Sequence, residues 1–187
     1  WAGSRNVGSV TIIWPAPHVF DQSGLRSIGY THRMVLPVEI TPKRADRPVR
    51  LKGEIEFGIC SDICIPAELS FDRALDDDAP RNPAIAAALA ARPLSANEAG
   101  VRAATCSLTP VKEGIRLTAR LTMPSAGGRE FVVIEPGLPM VRASEAEVER
   151  RGGVLTATSV LAHAEALPWA LERSAVRITV LGQRQAV

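Results

Sequence analysis

The chain is poor in aromatic residues and has no strong excess of charge of either sign. Aromatic residues make up 4% of its 187 residues, and 22 Lys and Arg stand against 20 Asp and Glu. No run of Lys and Arg interleaved with aromatic residues occurs, although such runs are typical of proteins that bind nucleic acids. We therefore expect no nucleic-acid partner and no binding to an acidic lipid surface.

Long apolar runs are also lacking. Arg, Glu, Pro or Gly interrupts each apolar stretch within a few residues, so none approaches the ~20 apolar residues of a membrane span. We expect no direct membrane insertion by this segment. The chain starts at Trp1 without the basic and then apolar pattern of a signal peptide, and we expect it to be a fragment of a longer protein.

Gly and Pro, at 14 residues each, divide the sequence into short segments that are typical of strands. The clearest strand is 48–57, in which Val49, Leu51, Ile55 and Phe57 alternate with charged residues at a period of two. The other predicted strands are 10–14, 34–40, 65–71, 115–123, 131–135, 154–161 and 175–181. This pattern predicts an all-β protein.

One segment between the strands has the features of a helix. Asn82 is a typical N-cap, Pro83 suits the first helical position, and an Ala-rich body continues to residue 91. We predict a linker with this short helix over residues 76–99, between a domain at 1–75 and a domain at 100–187. A second segment, 144–147, resembles a capping box and is equally compatible with a polar loop.

Two of the three cysteines, Cys60 and Cys64, lie close together in the sequence. The flanking alternation assigns Ile65, Leu69 and Phe57 to the core face and both cysteines to the outward face. A three-residue loop between antiparallel strands would place the cysteines opposite each other, with Cβ atoms ~4.5–5.5 Å apart. A relaxed disulfide has a Cβ separation of ~3.8 Å, so the pair is able to bridge, unless a bulge at Gly58 changes the register.

The residues alone leave three uses of this pair open: thiol–disulfide exchange, metal binding and a structural staple. Closing a loop of about 5 residues stabilises a fold by only ~2 kcal/mol on the chain-entropy model, which argues against the staple. A tight, outward-facing pair suits exchange, because an attacking thiolate must reach one of the sulfurs. Pro66 lacks an N–H, so we also expect strand pairing to stop there and to leave an edge for a partner.

Four short motifs follow one another over about residues 8–75. They are residues 14–18 (Trp-Pro-Ala-Pro-His), 29–30 (Gly-Tyr), 35–38 (Val-Leu-Pro-Val) and 60–68, which contains the cysteine pair followed by Pro66. Their order and spacing resemble the periplasmic N-terminal part of DsbD-type and ScsB-type protein-disulfide reductases. The spacing of three residues between the cysteines favours the ScsB-like branch.

The resemblance implies a periplasmic protein-disulfide reductase domain that is the soluble part of an inner-membrane protein and needs no cofactor. It would receive electrons from the membrane core of the same polypeptide, usually through a thioredoxin-like domain, and pass them to periplasmic thioredoxin-fold acceptors. Such pathways serve cytochrome c biogenesis, disulfide isomerisation or the response to copper and oxidative stress.

The resemblance also implies two tandem immunoglobulin-like β-sandwich domains joined by the short helical linker. The residues after Gly100 resemble the second such domain of the longer ScsB-like proteins. About 75 residues are too few for a sandwich of ~100, so we expect the first domain to be truncated at its N-terminus.

Residue roles follow from the same resemblance. Cys64 would form mixed disulfides with partners and Cys60 would resolve them. Asp21 and Asp62 are candidates to raise the thiol pKa, and Asp21 is also a candidate for proton transfer. Phe20 is a candidate for a cap loop over residues 20–25. Trp14 and Tyr30 are expected to be core aromatics rather than site residues.

Two other functions compete with this interpretation. The Cys-x-x-x-Cys spacing also resembles Sco-type copper chaperones, in which two thiolates and a distant His, here His163, would hold Cu(I). Those proteins need a helix after the second cysteine, whereas 65–71 predicts a strand. The remaining alternative is a redox-inert scaffold module. The third cysteine, Cys106, is expected to be a small buried residue of a strand.

Overall fold

The computed structural model describes residues 1–22, 24–61, 63–75 and 79–187, without the side chains of Gln22 and Leu25. The chain divides into two compact units, residues 1–92 and 93–187. Strands dominate both units, which confirms the all-β prediction. The predicted linker helix lies inside the first unit, and the finer division into two domains and a linker stays a prediction.

The described residues of the first unit form three two-stranded antiparallel sheets and one helix. The sheets pair β1 (Val7–Ile12) with β4 (Val38–Pro42), β2 (His18–Gln22) with β3 (Leu25–Gly29), and β5 (Arg50–Cys60) with β6 (Cys64–Ala74). Helix α1 (Pro83–Ala90) begins as the sequence predicts, because the Asn82 side chain accepts a 2.9 Å hydrogen bond from the Ala84 N–H. Among the described residues no helix is long and apolar enough to cross a membrane.

The β5–β6 hairpin keeps one register along its whole length. Its pairs run without a shift from Arg50 opposite Ala74 to Cys60 opposite Cys64, so the bulge considered at Gly58 does not occur. The Ser4 hydroxyl bonds both the N–H and the C=O of Lys52, each at 3.0 Å. These two groups of Lys52 therefore point away from β6. The backbone N–H and C=O groups of the other even-numbered residues in the hairpin likewise point to its outer edges.

The second unit has the two packed sheets of a β-sandwich. One sheet has the order β10 (Val141–Ala143), β12 (Val154–His163), β8 (Gly114–Thr122), β7 (Ala103–Val111), and β11 (Glu147–Arg151) also pairs with β12. The other pairs β9 (Phe131–Glu135) with β13 (Arg177–Leu181), after a short 3-10 helix at Arg173–Ala175. Leu117 and Leu155 from the first sheet are fully buried in one core with Val180 from the second.

Four strands escaped the sequence analysis, namely β2, β3, β10 and β11, and of β7 it predicted only that Cys106 lies in a strand. The helix considered from residue 144 is wrong, because Glu147 starts β11 and pairs with Thr158 of β12. Val148 is the one apolar residue of β11, and it packs against the core between charged neighbours. A single apolar residue in five shows no alternation of apolar and polar residues, so pairing with β12 rather than local sequence pattern determines this strand.

The expected core face of the hairpin is only partly buried. Leu51 is 6% exposed, but Phe57, Ile65 and Leu69 are 45%, 57% and 54% exposed. The alternation places them on one face as predicted, yet full burial on this face occurs at Leu51, near the base of the hairpin, where Trp1 contacts Phe71 edge to face. Periodicity therefore identified the face correctly and its burial incorrectly.

The expectation of a core Trp14 is also wrong. Its side chain is 47% exposed and stacks on the ring of Tyr30, with ring centroids 6.4 Å apart. Tyr30 is half-buried and donates a 2.7 Å hydrogen bond to the Pro15 carbonyl. The two aromatic residues therefore pack on each other at the surface of the first unit.

Candidate functional site: an exposed cystine at the end of a hairpin

Cys60 ends β5 and Cys64 begins β6, so the two residues stand directly opposite each other. They form a disulfide with a Cα–Cα distance of 4.0 Å, and both residues are exposed. Directly opposed residues of an antiparallel pair share a face, and this face is the one opposite Phe57 and Ile65. The sequence-based prediction of an opposed, outward-facing pair is thus confirmed.

The turn between the cysteines is short and open to solvent. The Ser61 N–H donates a 3.1 Å bond to the Ile63 carbonyl, and the Ile63 side chain is 71% exposed. Asp62, a candidate for raising the thiol pKa, lies outside the described residues, and its role stays a prediction.

A shallow groove begins at the disulfide and follows the hairpin toward its base. Gly58 and Pro66, which stand opposite each other, form its floor. Cys64 lines one end, and Glu56 and Glu68, also directly opposed, line the other. The disulfide is therefore approached across a surface with little side-chain bulk.

The segment predicted as a cap loop is mostly a second hairpin. Phe20 and Asp21 belong to β2, where they stand opposite Ser27 and Arg26 of β3. Phe20 is half-buried and Asp21 is exposed. The structure therefore corrects the loop assignment, while the roles of Phe20 in shielding and of Asp21 in proton transfer stay predictions.

An ion pair joins the two strands at the base of the hairpin, far along the strands from the cysteines. Arg50 donates to both carboxylate oxygens of Asp72, at 2.6 and 3.1 Å. The hydrogen bond from Arg50, aided by its charge, lowers the pKa of Asp72, and the same contact raises the pKa of Arg50. Both groups are solvent-exposed, so we assign the pair a positional role and no large stabilising energy.

The features expected of a copper chaperone are not found in the described part of the chain. Strand β6 rather than a helix follows Cys64, as the sequence predicted. His163 ends β12 in the second unit, and its Nδ1 accepts a 3.2 Å bond from the Glu165 N–H. The described residues contain no group of three His, Cys, Asp or Glu that is placed to hold a metal ion.

The third cysteine lies in strand β7 of the second unit. Cys106 is half-buried and packs against the core of that unit, where its sulfur has no disulfide partner. The strand assignment is confirmed, although the burial is less complete than expected.

Sequence reasoning missed the surface that surrounds the disulfide. Glu56 precedes Cys60 by four residues and Glu68 follows Cys64 by four, so the hairpin pairing brings the two glutamates together. This symmetric spacing was visible in the sequence once a hairpin had been assumed. Gly58 and Pro66 stand two residues from the cysteines by the same symmetry.

The site can be compared with known proteins. Residues 1–75 match the family model described as "Thiol:disulfide interchange protein DsbD, N-terminal". This match supports a DsbD-type N-terminal domain in the first unit. The disulfide at the end of its longest hairpin is thus the cysteine pair on which the resemblance rested.

A solved structure shares the fold of this chain beyond residues 1–75, over both units. The crystal structure of the N-terminal periplasmic domain of ScsB from Proteus mirabilis matches with a TM-score of 0.71 at 19% sequence identity. The match covers 97% of this chain and 71% of that one. At this identity the match shows a shared fold. No curated protein matches the sequence significantly.

Proposed function

We propose that the DsbD-type domain performs thiol–disulfide interchange in the periplasm through Cys60 and Cys64. The pair accepts electrons from a thioredoxin-like domain or the membrane core of the same polypeptide and reduces disulfides of periplasmic thioredoxin-fold proteins. The observation that carries the proposal is the exposed cystine at the end of a hairpin in a domain of this family. An attacking thiolate can reach its sulfurs without unfolding the domain.

The exchange is balanced in electrons and protons. A donor thiolate attacks the Sγ of Cys64, the bond to Cys60 breaks, and Cys60 leaves as a thiolate that takes up a proton. The donor's second thiolate then attacks the donor sulfur of the mixed disulfide and forms the donor's disulfide. Cys64 leaves as a thiolate that takes up the second proton, so two electrons and two protons have moved in all. With an acceptor the steps reverse, because Cys64 attacks the acceptor disulfide and Cys60 then attacks Cys64.

Cys64 is assigned as the sulfur that partners contact, because it lines the groove. The resemblance to DsbD-type proteins supports the same role. The expectation that pairing stops at Pro66 is wrong, because the ladder continues to Ala74. Pro66 is even-numbered, so its missing N–H belongs to the outer edge of β6 and the ladder with β5 loses no hydrogen bond.

Trapping experiments test these roles. Cys60→Ala should accumulate a mixed disulfide between Cys64 and a thioredoxin-like partner, because no resolving thiol remains. Cys64→Ala should accumulate little or none, and Cys106→Ala, the matched control, should behave as wild type. Non-reducing electrophoresis followed by mass spectrometry measures the adducts. Equal trapping by both site variants would show that the role assignment is wrong, and adducts at Cys106 would overturn the site.

The reduction potential separates exchange from the alternatives. We expect a value well above the approximately −300 mV of structural disulfides, and no large change in it with one equivalent of Cu(I). Equilibration with glutathione or dithiothreitol redox buffers gives the potential. Resistance to a thioredoxin-like donor would contradict the exchange function, and tight Cu(I) binding by the reduced pair would favour the chaperone alternative.

A further inference from the structure

Gly58 is a glycine that the chain itself does not require. Its φ angle is outside the left-handed region, and a Cβ placed on it would come no closer than 3.8 Å to its nearest neighbour, the Sγ of Cys60. Glycine inside a strand costs roughly 0.5–1 kcal/mol relative to alanine. Neither backbone conformation nor packing within the described chain explains its presence in β5.

A side chain at position 58 would occupy the groove beside the disulfide. Gly58 lies two residues from Cys60 on the same face and opposite the compact ring of Pro66. A longer side chain here would stand in the path that leads to Cys64. Because Gly58 has no side chain, the Cys64 sulfur can be approached from this face.

The far end of the groove carries an uncompensated charge. Glu56 and Glu68 stand directly opposite each other, an arrangement that destabilises a sheet. Glu68 accepts only a long 3.5 Å bond from the Ser70 hydroxyl, and within the described ranges neither glutamate forms an ion pair. A positive charge from outside the chain would relieve this repulsion.

On the basis of the proposed function, we propose that the groove docks a protein segment that carries a Lys or Arg four residues from its cysteine, and that Gly58 keeps the groove open. Four residues of extended chain span ~14 Å, so a cation four residues from the partner's cysteine would meet the glutamates when that cysteine reaches Cys64. The same segment of a second copy fits poorly, because the residues four positions from its cysteines are Glu56 and Glu68 and not cations.

Two synthetic peptides with blocked ends test the charge preference. One carries lysine four residues after its cysteine and the other carries glutamate there. For each peptide, two rate constants are measured, one for reduction of the Cys60–Cys64 disulfide and one for reduction of oxidised 2-mercaptoethanol. Dividing the first by the second corrects for the intrinsic reactivity of the peptide's thiol. The lysine peptide should react about tenfold faster at low ionic strength, and the difference should shrink at high salt.

Charge reversal provides the matched variants. Glu56→Lys combined with Glu68→Lys should reverse the preference toward the glutamate peptide. Glu39→Lys, an exposed site on β4, should leave it unchanged. Equal normalised rates for both peptides, or the same preference in the double variant, would overturn the docking proposal. Failure of every thiol to reduce the disulfide would instead contradict the proposed function.

A bulky residue at position 58 tests access. Gly58→Leu should slow both peptides by about tenfold relative to wild type while leaving the rate with 2-mercaptoethanol, which is too small to need the groove, nearly unchanged. Gly153→Leu is the control, because a Cβ there has nothing within 4 Å and no left-handed φ. Wild-type peptide rates in a folded Gly58→Leu protein would show that the groove is not the approach path. The charge variants decide the proposal independently if Gly58→Leu does not fold.

Discussion

The two units of the chain bury their apolar side chains to very different extents. In the second unit Leu117, Leu155 and Leu161 are fully buried between two sheets. In the described part of the first unit the buried apolar residues are Leu51, Ala88 and two prolines, Pro15 and Pro37. The second unit therefore resembles an ordinary sandwich held by its core, and the first depends far more on paired strands and local contacts.

The exposure of the first unit matches the exchange function that we propose for it. A disulfide that exchanges with protein partners must be accessible, and the elements that present such sites have few buried contacts. Cys60 and Cys64 lie at the end of a hairpin whose outer half packs little against the rest of the described chain. The second unit carries its free thiol, Cys106, half-buried against the core.

The largest expected effect is at the centre of the second core. Leu155→Ala should lower the free energy of unfolding of that unit by about 3 to 4 kcal/mol, because it removes a fully buried side chain and leaves a cavity. Hydrogen exchange followed by mass spectrometry measures the loss in β8 and β12 separately from the first unit.

The hairpin supplies the matched control for this substitution. Ile65→Ala removes a side chain that is 57% exposed and should cost less than about 1 kcal/mol. A cost at Ile65 as large as that at Leu155 would mean that the apolar face of the hairpin is covered in solution. The contrast between the two units would then be wrong.

How far the sequence predicted the structure depends on where the information lies. The strand at Arg50–Cys60 and the opposed cysteines follow from an alternation that is entirely local. Burial does not follow, because Phe57 and Leu51 occupy the same phase of that alternation and differ in what packs on them. Strand β11 escaped prediction for the same reason, since its partner β12 determines it.

A smaller but still substantial effect is expected at the partly buried ion pair of the second unit. Arg150 donates a 2.9 Å bond to the Glu130 carboxylate and a 3.0 Å bond to the Met123 carbonyl, and Glu130 also accepts from the Ala126 N–H. Arg150→Ala should destabilise this unit by about 2 to 3 kcal/mol, because it leaves the carboxylate buried without its cation. Urea denaturation of the variant and wild type measures the loss.

The same pair gives the second unit a pH dependence. Burial raises the pKa of Glu130, but the bonds from Arg150 and Ala126 outweigh it, so the pKa lies below the ordinary 4.5. The folded protein then keeps the carboxylate charged where the unfolded chain binds a proton. This stabilisation is present above pH ~4.5 and is lost as pH falls through the folded pKa. Glu130→Gln should flatten this dependence, and an unchanged pH profile would rule out Glu130 as its source.

The smallest expected effect is that of reducing the disulfide. The loop closed by Cys60 and Cys64 is so short that its opening should cost the first unit at most about 2 kcal/mol. Hydrogen exchange with and without reductant should show faster exchange toward the end of β5–β6 and no change in β8 or β12. The double variant Cys60→Ser, Cys64→Ser should not respond to reductant. If reduction instead unfolds the whole first unit, the disulfide is a structural staple, because a pair that cycles must leave its domain folded in both redox states.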